Sequence, residues 1–572
     1  MLDRGRRLRR IGLLAVMVWL TGIPMAFVLY GALHRRGSAG TVLTFDYLRK
    51  VFLTTAYLHP FLNTVLLAGC VCILATAIGF ALALATVRFG AYGRRVWEIA
   101  IVVPIFMSPF IGALGWVALA TPRTGYLNAL LAAMHLPQLD IFTFGGTVAT
   151  MALYLTPYSY SLLRDPLAKL NPELEEAADV HGASWLVRAR TVTIPLLQPP
   201  LLSSAILMFI FASEMFSIPG ILIVPNGYSV LSYAILNLTT QWPLDYAEAA
   251  AVGLLLFLLT LAGIVLYRRV VRVQERFITV GPRAPRVTPA ALSRAARGAA
   301  TLVCGAYVLL AVIAPTAGLA LRSTVRYFNG DFASIRPSFG GFSILLGDPL
   351  VIGSVQHSIV ITVVSTVLLL LISFAVASAK VRARDRLSAV TEFLASTPIA
   401  IPGVLFGVGL LWMYIGSPVY ATIWIIVLVM LARFPPLLVR MFETALLQIG
   451  REVEEAAMVF GATDITTVRL VRVPLLAGTI RSAVVIASTQ VFNELTASAL
   501  LFTGTSSVVP VVIYQYAVAG DYSRASALAL IQIALLAAGL SFVVLLWALW
   551  NARRLAAPRY DAPIVRLEEQ PT

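Results

Sequence analysis

The sequence predicts an all-α polytopic membrane protein, with about twelve transmembrane helices arranged as two homologous halves of six. Three observations carry this. The 572 residues have a mean hydropathy of +0.87. Only 12% are charged, about half the share of a soluble globular chain. Long apolar runs recur with short basic loops between them, and one soluble-looking segment occurs twice. The apolar runs are too long and too uniformly greasy for barrel strands, and backbone polar groups inside hydrocarbon must be satisfied locally, so the runs are read as helices.

The elements follow in order. MLDRGRRLRR is basic, and the apolar run after it is about 23 residues, long enough to span a bilayer and longer than a signal-peptide core. Spans are expected near 11–33, 62–87, 98–120, 144–163, 198–224 and 248–267 in the first half. In the second half they are expected near 299–321, 356–379, 390–415, 420–439, 478–502 and 525–550. The domains are therefore a first half (1–267), a linker (268–298), a second half (299–552) and a tail (553–572). The linker has eight Arg, one acid (Glu275) and three prolines, Pro282, Pro285 and Pro289, which break it.

Lys and Arg placement sets the expected orientation. RFGAYGRR (88–95), KVRARDR (380–386), the linker and the repeated segments lie on one side. The stretches 225–247 and 416–421, on the other, have no Lys or Arg. Both termini, the linker and the tail are thus expected in the cytoplasm. His34 to Pro60 goes against the pattern, with Arg35, Arg36, Arg49 and Lys50 on the outer side. The net charge of +16 is explained by these anchors, so no nucleic-acid partner is expected; the lipid bilayer is the partner. Cys70, Cys72 and Cys304 lie in apolar runs and form no metal or disulfide pattern.

The halves align by offset. Asn63 pairs with His357, Pro104 with Pro398 and Gly115 with Gly409, each 294 apart; Pro157 pairs with Pro436 and Glu176 with Glu455, each 279 apart. Glu214 pairs with Glu494, 280 apart, and Asp245-Tyr246 with Asp521-Tyr522, 276 apart. Parallel repeats imply a pseudo-two-fold axis along the membrane normal, with a site between the halves.

The repeated segment spans 173–199 and 452–478. Each copy reads E-A-A-x-x-x-G, and a proline follows at a fixed distance. The residues are Glu176, Ala177, Ala178, Gly182 and Pro195, then Glu455, Ala456, Ala457, Gly461 and Pro474. A short helix with early acids, a glycine turn, caps at Ser184 and Thr463-Asp464, and a second helix stopped by the proline are expected. This pattern resembles the EAA loop of binding-protein-dependent ABC importer permeases. The resemblance implies the type I permease fold, and a loop that docks into a groove of an ATPase subunit and transmits nucleotide-driven closure. It implies two copies of an ABC ATPase subunit, an external substrate-binding protein, and a bacterial inner membrane. The family usually has Ile and Leu before the proline; Val192 and Ile194, and Val471 and Val473, stand there and keep the apolar character. Two fused halves, and NELTASALLFTGTSSVVPVVIYQY (493–516), look most like ferric-iron-type permeases, with polyamine, thiamine and aminoalkylphosphonate permeases sharing the layout.

No G-x-x-x-x-G-K-[ST] is present, so ATP hydrolysis must come from a partner. The chain is read as no enzyme, with no cofactor and no metal site; its five scattered histidines make no catalytic cluster. Candidates for the translocation path are Glu214, Asn493, Glu494, Asn63 and His357, because polar groups within spans are default functional candidates. Glu214 and Glu494 either face a shared cavity that suits a cation, or cap a helix break and pair with backbone. Asn63 and His357 open the second span of each half, and interface or helix-start roles compete with a place on the path. Pro104, Pro109, Pro398 and Pro402 are expected to kink the third spans. An ion-coupled secondary transporter would also use parallel six-helix repeats, but would have no repeated docking loop.

Overall fold

The architecture comes from a computed structural model describing residues 2–37, 40–170, 178, 180–182, 184–275, 294–325, 328, 330–332, 335–383 and 385–556. Among these, seven helices are long and apolar enough to cross a membrane. They are Arg7–Leu33, Thr55–Arg88, Ala189–Glu214, Tyr246–Val271, Arg294–Thr324, Pro349–Ala383 and Tyr522–Leu549. Four more spans are bent pairs, at the third position of each half and the fourth and fifth of the second. The twelfth is Phe144–Lys169, which is less apolar because it is a buried helix carrying Thr147, Thr150, Thr156 and Ser159 inward. Glu176 and Ala177, linker residues 276–293 and tail residues 557–572 lie outside the described residues.

Two local features depart from the expected pattern. His34–Gly37 and Gly40–Leu43 pair as an antiparallel hairpin, with His34 opposite Leu43. These are the only strands among the described residues. Beside the hairpin, Lys50 is neutralised by the buried Glu248 at 2.6 Å, which explains how one of the basic residues running against the charge pattern is accommodated.

The third spans are sharply broken rather than gently kinked. Arg94–Phe106 meets Pro109–Ala120 at 96°, and Arg386–Ile399 meets Gly403–Tyr414 at 112°. Proline has no N–H and its ring excludes the preceding turn. Pro109 therefore starts the second arm of one span, and Pro402 caps the second arm of the other. Pro157 behaves differently, because Phe144–Lys169 continues through it. In the second half the adjacent Pro435 and Pro436 bend the fourth span by 46° after Arg433.

The first span of each half lies against the other half. Ile23–Leu33 packs on Gly403–Tyr414, and Ala314–Thr324 packs on Pro109–Ala120. The contacts are reciprocal and backbone-close. A Cβ on Gly115 would stand 2.3 Å from the Pro315 carbonyl oxygen, and one on Gly409 would stand 2.5 Å from that of Pro24. At these crossings only glycine allows the approach; small residues at close helix contacts are a general device of membrane bundles.

Between the fifth and sixth spans of each half a short helix turns inward, Leu231–Thr240 and Val509–Val518, both with buried faces. The stretch 225–247, read as a plain loop in the sequence, thus contains helix.

Candidate functional site

Two regions gather the candidate residues: the repeated loops at one end of the bundle, and a polar cluster where the broken spans meet.

In the second loop Arg451–Val459 is helical, and Gly461 follows at φ +85°. The amide of Ala462 donates to the Ala457 carbonyl at 3.0 Å and that of Gly461 to Met458 at 2.9 Å. This is a left-handed glycine cap that satisfies the carbonyls at the helix end. Gly182 has φ +75°, so the turn recurs in the first loop. Ser184 and Thr463 cap the second helix of each loop, accepting from the amides of Val187 (3.5 Å) and Thr466 (3.2 Å). Glu455, Ala456 and Gly461 are exposed, and Ala457 and Ala178 half-buried. Both loops then enter their fifth spans through a π-helical turn, Ala189–Thr193 and Val468–Arg472. The prolines do not simply stop the helices. Pro195 sits just after the π-helical turn, inside the continuous helix Ala189–Glu214, which runs on through it. Pro474 sits in Val473–Leu475, and the chain then bends by 78° into Ala477–Phe492.

Large apolar side chains stand in the open on these loops. Val180 is 85% exposed, Val459 84% and Phe460 91%. Val180 and Val459 occupy the same place in the two copies.

The central cluster forms because the breaks in the third spans release backbone groups that need new partners. Each is met from the opposite half. Asn493 donates from Nδ2 to the Phe106 carbonyl at 3.1 Å. Thr260 donates to the Ala400 carbonyl at 2.9 Å. The Gly403 amide donates to Glu214 Oε2 at 3.2 Å. Glu214 is the last residue of its helix, and Asn493 and Glu494 follow Phe492. The acids thus lie at helix ends rather than within continuous fifth spans. The spans expected at 198–224 and 478–502 run through these breaks.

Arg433 joins the two acids. Its Nη1 is 2.6 Å from Glu494 Oε1, and its Nη2 is 3.7 Å from Glu214 Oε2. Glu494 also accepts from the amides of Ala497 and Ser498 and from the Ser498 hydroxyl. Gln532 donates to Asn493 Oδ1 at 2.9 Å. The 11 residues of Ile423–Arg433 rise about 16 Å. In a hydrocarbon core of about 30 Å, that puts Arg433 about half-way through. Sequence reasoning missed Arg433, Thr260 and Gln532. A signal for Arg433 was present, a cation inside the apolar run 420–439, but the repeat singles out only the acids.

Asn63 and His357 sit apart from this cluster. Asn63 Nδ2 donates to the Ser229 carbonyl, and His357 Nδ1 lies 3.0 Å from that of Ser507. Their neighbours Thr64 and Ser358 accept from the amides of Leu231 and Val509, each at 2.9 Å. Each pair thus ties the inward-turning helix of its own half at its N-terminus, from beyond the first turns of Leu58–Ala83 and Pro349–Ala383 rather than from their starts.

Comparison with known proteins agrees with the repeat. The model of the binding-protein-dependent transport system inner membrane component family matches twice, at residues 75–280 and 370–557. A ferric transport system permease protein of Actinobacillus pleuropneumoniae is 25% identical over 493 residues, 84% of this chain and 70% of the relative. A probable ABC transporter permease protein of Sinorhizobium fredii is 26% identical over 93% of this chain and 94% of its own. A solved bacterial alginate ABC transporter, in complex with a periplasmic protein bound to an alginate pentasaccharide, matches 41% of this chain and 84% of its own at 21% identity, with a TM-score of 0.36. With the family domain present in both halves of one polytopic chain, this protein belongs to the binding-protein-dependent transport system inner membrane components, as a fused two-half ABC transporter permease.

Proposed function

We propose that this chain forms the whole membrane channel of an ATP-driven importer and that its two repeated loops each dock one copy of an ABC ATPase subunit. The observation that carries this is the exposed apolar surface on those loops, Val180 in one and Val459 with Phe460 in the other. Loops that only connect spans gain nothing by holding large apolar side chains in water. The residues of docking are then Glu176, Ala177, Ala178, Gly182 and Pro195, and Glu455, Ala456, Ala457, Gly461 and Pro474. Both termini lie in the cytoplasm with these loops, and a binding protein delivers cargo from the opposite side of a bacterial inner membrane.

Transport then follows from rocking of the halves about their common interface. The cross-half bonds at Gly403–Glu214, Phe106–Asn493 and Ala400–Thr260 hold one arrangement. Drawing the docking loops together breaks and remakes them, and opens the path between the halves. Two acids meet one guanidinium at the centre, an excess of carboxyl groups that suits a cationic cargo. Ferric iron is the cargo we propose, supported by the relative from Actinobacillus pleuropneumoniae. The test is uptake of radioactive ferric iron into proteoliposomes that hold the chain with its ATPase, in the presence of loaded binding protein. ATP-dependent uptake is expected. Uptake driven by an ion gradient with no ATPase would make the chain an ion-coupled secondary transporter instead. ATP-dependent uptake of a polyamine, thiamine or an aminoalkylphosphonate, with none of iron, would correct the cargo alone.

A further inference from the structure

The helix Arg451–Val459 is held to the membrane bundle in an unusual way. Of its nine residues the one buried side chain is a carboxylate, Glu454, with 6% of its side chain exposed. Each carboxylate oxygen takes a different guanidinium. Arg382 Nη2 lies 2.6 Å from Oε1, and Arg472 Nη2 lies 2.7 Å from Oε2. Arg382 belongs to the last turn of Pro349–Ala383. It also donates to the carbonyls of Leu446, in the last turn of the fourth span of this half, and of Ile449 just after it. Arg472 closes the π-helical turn that leads into the fifth span.

We propose that Glu454 is the joint through which the second docking helix moves the membrane spans, a positioning residue for transport. The proposal rests on the docking reading given above. A helix seated by an apolar face can slide, because dispersion contacts have no direction. One carboxylate between two guanidiniums gives two short, directional, charge-assisted bonds at a single point. A longer bond, from Arg451 Nη2 to the Val381 carbonyl at 3.3 Å, also reaches the span end, but the short paired bonds at Glu454 carry the helix's displacement to both arginines. A half-broken joint leaves a buried charge without its partner, so the three groups move together. The first copy differs in sequence. The offset of 294 puts Arg88 opposite Arg382, but the offset of 279 puts Thr193 opposite Arg472.

The test is hydrogen exchange on the full chain, purified with its ATPase subunit, with and without ATP plus vanadate. In the wild type, exchange is expected to change in the docking helix 451–459 and in the span end 374–383 together. In Glu454→Gln the ATPase stays bound and 451–459 still responds, while the response of 374–383 is lost; Glu454→Asp, which keeps the charge, retains it. If Glu454→Gln does not fold, Arg472→Met leaves Arg382 paired, and loss of the response in 477–492 with retention in 374–383 is expected. An unchanged response at 374–383 in Glu454→Gln, or equal loss at 451–459 and 374–383, overturns the proposal. A wild-type chain that captures no ATPase overturns the docking reading itself.

Discussion

Replacing Arg433 by methionine leaves two carboxylates facing each other, one of them, Glu494, with only 3% of its side chain exposed. Removing one partner of a buried ion pair costs about 3–5 kcal/mol. Arg433→Met is therefore expected to lower stability by about that much, read as thermal or denaturant unfolding in detergent. Glu214→Gln is expected to cost far less, since its guanidinium contact is 3.7 Å and the amide can still accept from Gly403. Equal losses in the two variants would mean that Arg433 serves both acids alike. Both acids were legible in the sequence because the repeat placed them at matching positions. Their partners were not. A hydrogen bond such as Asn493 to Phe106 joins residues 387 apart in sequence, and no local pattern encodes it.

Among the elements, the crossing of each first span over the opposite half is the most demanding for packing. Gly115→Ala and Gly409→Ala each put a methyl group into backbone rather than into a movable side chain. Each is expected to destabilise by about 1–3 kcal/mol. Gly69→Ala, where nothing lies within 4 Å, is expected to be neutral or to raise stability. Melting temperatures of the three variants in the same detergent check this, and a loss at Gly69 equal to that at Gly115 would rule out the backbone-contact explanation. Element existence was readable from apolar run length, and the repeat predicted that both third spans carry prolines. The near-right-angle breaks were not readable. Proline permits a break, but the angle is set by where the freed carbonyls and amides find partners, here in the other half. The hairpin at His34–Leu43 was not readable either, because its four-residue strands are too short for alternation to register.

At the scale of the whole molecule, two six-helix halves meet at one central interface and each carries one copy of the repeated loop; in the proposed reading force enters at the loops and a path opens in the middle. This level was the most legible, because a parallel repeat fixes the symmetry and the family domain recurs once per half. The first spans' exchange between halves was hidden, since apolar residues facing lipid and facing a neighbouring helix look alike in sequence. Whether the exposed apolar loops seat ATPase subunits is decided by co-purifying the tagged chain with ATPase subunits of the same cell, wild type beside the double variant Val180→Asp/Val459→Asp. Both positions are more than 80% exposed, so the fold and melting temperature are expected to hold. Capture of an ATPase by the wild type and its loss in the well-folded variant is the expected result. Equal capture by both, or a wild-type chain that emerges alone and transports without ATP, would contradict it.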